Sequence, residues 1–377
     1  MSKEISFCPY RVCPLGAHID HQYGIVSGFA IDKGIEIEYE KTEDGKIYLE
    51  SSDFEKKVEF LFNKNFEKEN DWADYLRGAT ASLKRNHDLS YGIKAYVKGS
   101  LPIGGLSSSA AVIIAFLNAL CRVNNIKLSQ KEMVMAALWA ENEFVGVSCG
   151  KLDQSCEIYS KKDNLWYMDM KDDSYELIPA SSDMPKFKIA IFFSGLERSL
   201  VGSQFNMRVD ELKSAAYMLK AISGIEYGKF ADTRLRDVPR EVFEEYKDAL
   251  PENWRKRATH YYTEVERVKK GIEAWRNGDI ETFGKLSFES GESSINNYET
   301  GSPQLIKIHE IMKETKGIYG GRFSGAGFKG CAMALVNPDF EEQIKAEVTE
   351  KYLKAFPELE GKFGVYFAQT ADGINLD

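Results

Sequence analysis

A run of small residues leads directly into an apolar segment in the first half of the chain. The run, Leu-Pro-Ile-Gly-Gly-Leu-Ser-Ser-Ser-Ala-Ala at 101–111, follows a partly alternating segment at 91–97 and precedes Val-Ile-Ile-Ala-Phe-Leu-Asn-Ala-Leu at 112–120. The alternation predicts a strand, and the length and spacing of the apolar segment predict a buried helix. The first N–H groups of a helix have no partner within it and carry partial positive charge. The run therefore predicts a phosphate-binding loop, with an ordinary turn as the alternative.

The residue types of this loop suit a phosphate. Glycine permits close approach because a Cβ would block it, and serine hydroxyls are available to phosphate oxygens or to Mg²⁺. The chain has no Gly-x4-Gly-Lys-Ser/Thr motif, so the cations for the phosphates must come from elsewhere. The candidate phosphate-binding residues are Gly104, Gly105, Leu106, Ser107, Ser108, Ser109 and Ala110.

A second glycine cluster at 320–336 contains a literal Gly-x-Gly-x-x-Gly at Gly325, Gly327 and Gly330. A dinucleotide-binding motif follows a strand and opens a helix, whereas this cluster runs into a short apolar segment that ends at Asn-Pro and is typical of a buried strand. We therefore interpret Gly325 and Gly327 as part of a second wall of the same nucleotide site. A plain turn is the alternative.

The N-terminal segment 11–21 concentrates polar groups, with Arg11, His18, Asp20 and His21 within eleven residues. The His-x-x-His spacing suggests a metal site, but no further Cys or His lies nearby, so zinc is disfavoured. Hydrogen bonding to a polar small molecule fits this segment better.

Two carboxylates follow at the end of an apolar helix pattern. Glu141 closes the pattern, and Asp153 comes after a turn that contains glycine. Phosphoryl transfer needs a metal ligand and a group that orients or deprotonates the attacking hydroxyl, roles that Glu141 and Asp153 would divide. Solvated acidic residues at a helix end are the alternative.

Taken together and in this order, these clusters resemble the galactokinase-type members of the GHMP kinases. The matching segments are 11–20, 102–111, 149–154 and 324–331, with further likeness at 72–78, 283–290, 298 and 371–373, so the resemblance covers nearly the whole chain. It implies an α+β fold of two lobes with the active site in the cleft between them. It also implies that ATP, with Mg²⁺, phosphorylates the anomeric hydroxyl of a galactose-configured sugar.

The resemblance also implies a role for each matching residue. Arg11 and Asp153 would be catalytic, and Ser109 with Glu141 would bind Mg²⁺, although Ser108 is an alternative to Ser109. The sugar would be bound at the positions of Ala17, His18, Asp20, Gly150 and Phe205.

Ala17 departs from the pattern because galactokinases usually have Glu there. Loss of that negative charge would admit a sugar that carries its own carboxylate at C6. The wording of the 11–22 and 322–331 segments also resembles the galacturonokinase branch. We therefore expect D-galacturonate as substrate, with D-galactose as the alternative. The carboxylate would need a cation, for which Lys151 and Lys329 are candidates.

Two further departures concern activity. Phe205 stands where the family usually has Tyr, which removes one hydroxyl contact, and the phosphate loop is one residue shorter than usual. The short loop leaves open a function of another class, a non-catalytic sugar sensor related to galactokinase.

Composition limits the number of domains, the classes of binding partner and the state of the cysteines. A length of 377 residues with 43% hydrophobic content suggests two domains or one large one, and we place two at 1–183 and 184–377. A net charge of −9 disfavours nucleic-acid binding, and no apolar stretch approaches the roughly 20 residues of a membrane span. The six cysteines lack Cys-x-x-Cys spacing. We expect a cytoplasmic monomer with reduced thiols.

Overall fold

A computed structural model describes residues 3–196 and 202–376 of the chain. Its strands are β1 (Glu4–Val12), β2 (Ile25–Thr42), β3 (Lys46–Ser51), β4 (Val58–Leu61), β5 (Gly92–Gly99), β6 (Asn164–Asp169), β7 (Tyr175–Pro179), β8 (Lys188–Phe193), β9 (Ile318–Phe323), β10 (Cys331–Val336), β11 (Gly364–Ala368) and β12 (Thr370–Ala371). Its α-helices are α1 (Asp74–Lys84), α2 (Ser108–Val123), α3 (Gln130–Trp139), α4 (Leu152–Tyr159), α5 (Gly202–Ser223), α6 (Arg240–Tyr246), α7 (Glu252–Arg276), α8 (Ile280–Ser293), α9 (Pro303–Glu314) and α10 (Glu341–Ala355). The π-helical segments Ala140–Val145 and Ser294–Tyr298 continue α3 and α8.

The described strands form two sheets. The first sheet has the strand order β4-β3-β5-β2-β6-β7. Strands β1 and β12 belong to the same sheet, because each of them pairs with β2. The second sheet has the order β11-β8-β10-β9 and is antiparallel throughout. Because β12 pairs with β2, the chain returns to the first sheet after completing the second.

Strand β2 shows how the sequence builds the first sheet. Ile35, Ile37 and Tyr39 are buried, whereas the glutamates between them are partly exposed. This alternation, which the sequence shows between about 30 and 41, matches the period of a strand with one covered face. The strand continues at both ends, since its eighteen residues also pair with β6 and β12.

Helix α2 begins four residues before the predicted start at 112. Ser107 precedes the helix with a left-handed φ of 60°, and Ser108 and Ser109 lie in its first turn. Residues 110–121 are buried almost without a break because α2 packs against β1, β2, β5 and the helix α1. The end of the predicted phosphate loop is thus helical, which places Ser108 and Ser109 at the helix N-terminus.

The two sheets share one hydrophobic core. Alternate residues of β8 and β10, such as Ile191 and Met333, pack in the same cluster as Phe29 of β2. The opposite faces of β8 and β10 are covered by α9 and α10. Both strands are therefore buried on two sides, which explains their continuous apolar sequences. Within the described part of the chain, no helix combines the length and the apolar character needed to cross a membrane.

Candidate active site

A cavity of about 820 Å³ opens where loops of the two sheets meet. The residues predicted from sequence that line it are Arg11, Ala17, His18, Asp20, Gly105, Ser107, Ser109, Glu141, Asp153, Phe205 and Gly325. The other predicted site residues, which lie outside the wall of this cavity, are Gly104, Leu106, Ser108, Ala110, Gly150 and Gly327. Segments far apart in sequence, from 11 to 329, thus contribute to one cavity.

Arg11 and Asp153 form an ion pair in the cavity wall. Arg11 Nε and Nη2 lie 2.8 and 2.7 Å from Asp153 Oδ1, and Nη1 donates to the Gly105 carbonyl at 3.3 Å. Burial opposes the charge of Arg11, but the Asp153 carboxylate outweighs it and raises the pKa of Arg11 above its usual value. Asp153 Oδ2 accepts no hydrogen bond from any described residue, so it is open to a ligand in the cavity.

Asp20 lies next to this pair. Burial, reinforced by the Asp153 charge, raises the pKa of Asp20 to about 6. The Leu152 N–H donates to Asp20 Oδ2 at 3.4 Å, and a Cβ added to Gly150 would lie 2.4 Å from the same oxygen. Gly150 therefore belongs to the site without lining the cavity, because a side chain there would displace Asp20.

His18 presents a hydrogen-bond acceptor. Its Nε2 donates to the Gly325 carbonyl at 3.0 Å, so Nδ1 carries the lone pair. Nδ1 is buried and has no partner among the described residues. The ring stacks on Tyr298 with centroids 4.4 Å apart. Burial and the nearby charge of Arg322 lower the pKa of His18 well below its usual value, so the ring is neutral.

A buried layer from α7 holds the backbone of this segment. His260 Nε2 donates to the Ala17 carbonyl at 3.1 Å, and the Gly16 N–H donates to Glu264 Oε1 at 2.7 Å. Although burial opposes it, the charges of Arg267, His260 and Arg322 hold the pKa of Glu264 at about 2. The loop that carries Ala17 and His18 is therefore fixed from behind.

The two glycine clusters meet backbone to backbone. Gly104 and Gly105 have positive φ angles of 137° and 85°. A Cβ on Gly105 would lie 2.7 Å from Cys331 Sγ, and one on Gly330 would lie 2.8 Å from the Gly104 carbonyl carbon. The second cluster connects β9 to β10 in an antiparallel pair. It therefore does not have the strand-to-helix context of a dinucleotide motif, and with Gly325 it forms a wall of the cavity.

The N-terminus of α2 has an unsatisfied polar group. Ser107 Oγ is buried without a hydrogen-bond partner among the described residues, and such a group costs about 1–3 kcal/mol. Ser109, in the first turn of the helix, also lines the cavity. A phosphate oxygen at this position would satisfy the hydroxyl and the free N–H groups together.

Glu141 closes the predicted helix pattern, but it lies in a π-helical segment rather than in a regular α-helix. The wider turn of a π-helix is common at functional sites, and here the Gln154 amide donates to Glu141 Oε2. Glu141 and Ser109 both line the cavity, and both side chains carry oxygen atoms. Oxygen is the ligand type that Mg²⁺ prefers, usually with few protein ligands and with phosphates completing its coordination, so these residues fit that ion.

The structure also places the residues at which this chain departs from the family pattern, and the two candidate lysines. Ala17 is 8% exposed and lines the cavity. Lys329 lines the cavity too, whereas the Lys151 ammonium pairs with Asp173 outside the cavity wall. Phe205 lines the cavity with its ring edge-on to His21, at 5.9 Å between centroids. Of the two candidate lysines, Lys329 is thus the one that lines the cavity.

Sequence reasoning missed two parts of the site. The first is a group of cavity residues in 68–75, 145–147 and 301–302, among which the likeness at 72–78 was the only signal. The second is the buried layer of His260 and Glu264, neither of which the sequence analysis singled out. Their separation by four residues places them on one helix face, but spacing alone does not identify what that face contacts.

Comparisons with known proteins agree with this geometry. Residues 74–161 match the GHMP kinases N terminal domain, and residues 268–354 match the GHMP kinases C terminal model. A galacturonokinase of Arabidopsis thaliana is 40% identical and covers 98% of this chain and 92% of its own. A galactokinase of Thermococcus kodakarensis is 35% identical over 93% of this chain and 94% of its own.

The structural comparison gives the same result. The crystal structure of Lactococcus lactis galactokinase complexed with galactose superposes with a TM-score of 0.89 at 27% identity, covering 100% of this chain and 95% of that one. The chain belongs to the galactokinase group of the GHMP kinases. It is a sugar kinase with ATP as a substrate, and the predicted fold is confirmed.

Proposed function

We propose that this protein transfers the γ-phosphoryl group of ATP to the anomeric hydroxyl of D-galacturonate. The observation that carries the choice of sugar is Ala17, a small neutral side chain in the cavity wall where the related galactokinases usually have Glu. A glutamate would repel a C6 carboxylate, and Ala17 does not. The 40% identity to a galacturonokinase supports the same choice.

Positive groups in and behind the cavity wall also support a charged sugar. Lys329 lines the wall, and Arg322 lies behind His18, where its charge acts on the imidazole. D-Galactose remains the second candidate, because galactokinases at 32–35% identity cover nearly the whole chain.

In the reaction we propose, the anomeric hydroxyl donates its proton to Asp153 Oδ2, the oxygen that Arg11 leaves free. The sugar oxygen then forms a bond to the γ-phosphorus as the bond to the β-phosphate oxygen breaks, releasing ADP. Arg11 stabilises the charge on the transferred group. The first N–H groups of α2 and the Gly104–Gly105 backbone hold the phosphates. Ser109 and Glu141 would hold Mg²⁺, which neutralises phosphate charge when bound.

We also make three proposals, on the domain division, the oligomeric state and the cellular location. The domains are 1–183 and 184–377, with the division in the connection between β7 and β8. The protein acts as a monomer, because the proposed reacting groups come from one chain, and in the cytoplasm, because all six cysteines are free thiols.

The test is kcat/KM with ATP and Mg²⁺ on D-galacturonate and D-galactose for wild type, Ala17→Glu and Ala17→Gln. Gln matches Glu in size without its charge. We expect wild type to prefer galacturonate. We expect Ala17→Glu to lose at least about tenfold more activity than Ala17→Gln on galacturonate, and not on galactose. Preference of the wild type for galactose would overturn the choice of sugar. Lack of turnover with either sugar, despite sugar binding, would favour a sensor.

A further inference from the structure

Glu157 is a buried carboxyl group that the proposed reaction does not use. It lies on α4 one helical turn after Asp153 and has 0% exposure. Cys8 Sγ, on β1, lies 3.9 Å from Glu157 Oε2. Glu157 Oε1 and the Tyr10 hydroxyl are both buried without a hydrogen-bond partner in the part of the chain that is described.

The surroundings of Glu157 favour its neutral form. A buried carboxylate costs several kcal/mol unless a cation and hydrogen bonds compensate it. No described lysine or arginine forms an ion pair with Glu157, and the Cys8 thiol is a weak donor. Burial, and then the Asp153 charge, raise the pKa of Glu157 well above its usual value, with Arg11 opposing. Burial without a compensating cation therefore favours the protonated form of Glu157.

Strand β1 connects this carboxyl group to the catalytic pair. A register shift between Pro9 and Arg11 interrupts the alternation of the strand, so both Tyr10 and Arg11 are buried. Glu157 contacts this strand through Cys8 and follows Asp153, the ion-pair partner of Arg11, by one helical turn. The titratable groups that face it are Cys8, Tyr10 and Arg11 from β1, Asp153 and Cys156 from α4, and Glu141 from the π-helical segment.

We propose that Glu157 is a positioning residue whose protonated side chain keeps the Arg11 charge directed at Asp153 and the transferring phosphoryl group. Loss of that proton would place a second carboxylate near Arg11. Its negative charge would attract the guanidinium away from Asp153 and disfavour the phosphates. This inference rests on the proposed roles of Arg11 and Asp153. It predicts a decline of kcat at alkaline pH that is set by Glu157.

The test is the pH profile of kcat between about pH 7 and 10, measured on the sugar that the wild type phosphorylates fastest. Glu157→Gln keeps the size and neutrality of the protonated side chain but cannot ionise. We expect the ratio of kcat at high pH to kcat at pH 7 to be at least about fivefold larger in Glu157→Gln than in wild type. Cys149→Ser is the control, because Cys149 is another ionisable group in the cavity wall, and it should keep the wild-type decline.

Three results would overturn the proposal. They are a wild-type decline that persists in Glu157→Gln, a folded but inactive Glu157→Gln, and loss of the decline in Cys149→Ser. If Glu157→Gln fails to fold, infrared spectra of the wild type labelled with ¹³C-glutamate test the protonation state of the carboxyl group instead. The C=O band of a protonated carboxyl group should be present at pH 7 and disappear over the alkaline decline, and its absence at pH 7 would reject the proposal. Full activity of Asp153→Asn would instead reject the proposed roles of Arg11 and Asp153, whereas the wild-type band reports on Glu157 alone.

Discussion

The sugar end and the nucleotide end of the cavity are held in place by different means. At the sugar end, buried side chains of α7 bind the backbone around Ala17, and Tyr298 stacks on His18. At the nucleotide end, Gly104 and Gly105 pack against the glycines of the 324–331 loop, and Ser107 Oγ lacks a partner within the described chain. The sugar end is thus fixed before ligand binds, whereas the nucleotide end offers backbone donors that a phosphate would satisfy.

The largest expected effect is at the ion pair that joins the two ends. Arg11 contacts Asp153 beside the sugar site and the Gly105 carbonyl in the phosphate loop. We expect Arg11→Ala and Asp153→Ala each to lower kcat by about 10³-fold, measured at saturating ATP and sugar with folding checked by circular dichroism. The double variant should lose little more than either single variant, because the pair acts as a unit. Near-normal kcat in either variant would contradict the assigned roles.

A smaller effect, confined to the nucleotide end, is expected from Gly105→Ala. The added Cβ would collide with Cys331 Sγ in a backbone conformation that already disfavours side chains. We expect kcat/KM for ATP to fall about a hundredfold, with sugar binding measured by calorimetry nearly unchanged. Gly45→Ala is the matched control, since Gly45 also has a positive φ but nothing within 4 Å of an added Cβ. Equal losses in both variants would show that backbone strain alone explains the effect.

The smallest effect tests the buried support of the sugar end. His260→Phe keeps a ring but leaves the Ala17 carbonyl without its donor, which costs about 1–3 kcal/mol. We expect KM for the sugar to rise about fivefold to tenfold, KM for ATP to stay constant, and His260→Gln to recover part of the loss. The control His309→Phe changes another buried histidine that does not line the cavity. A similar rise in KM for that control would remove the distinction between the two ends.

Much of the nucleotide end was predictable because its information is local. Glycines, serines and a following apolar helix are adjacent in sequence, and their conformations follow from short-range sterics and hydrogen bonding. The error at the start of α2 is of the same kind, since Ser108 and Ser109 suit both a loop and a first helical turn. The family resemblance then linked this loop to Asp153 and to the N-terminal segment.

The sequence by itself determined the strand alternation in β2, the buried helix α2 and the residue types at both ends of the cavity. Only the tertiary structure placed His260 on the Ala17 carbonyl, paired Lys151 with Asp173 instead of the cavity, and buried Glu157 near Arg11. The physical reason is that periodicity records which face of an element is covered. The partner on that face depends on sheet register and helix packing between residues that are distant in sequence.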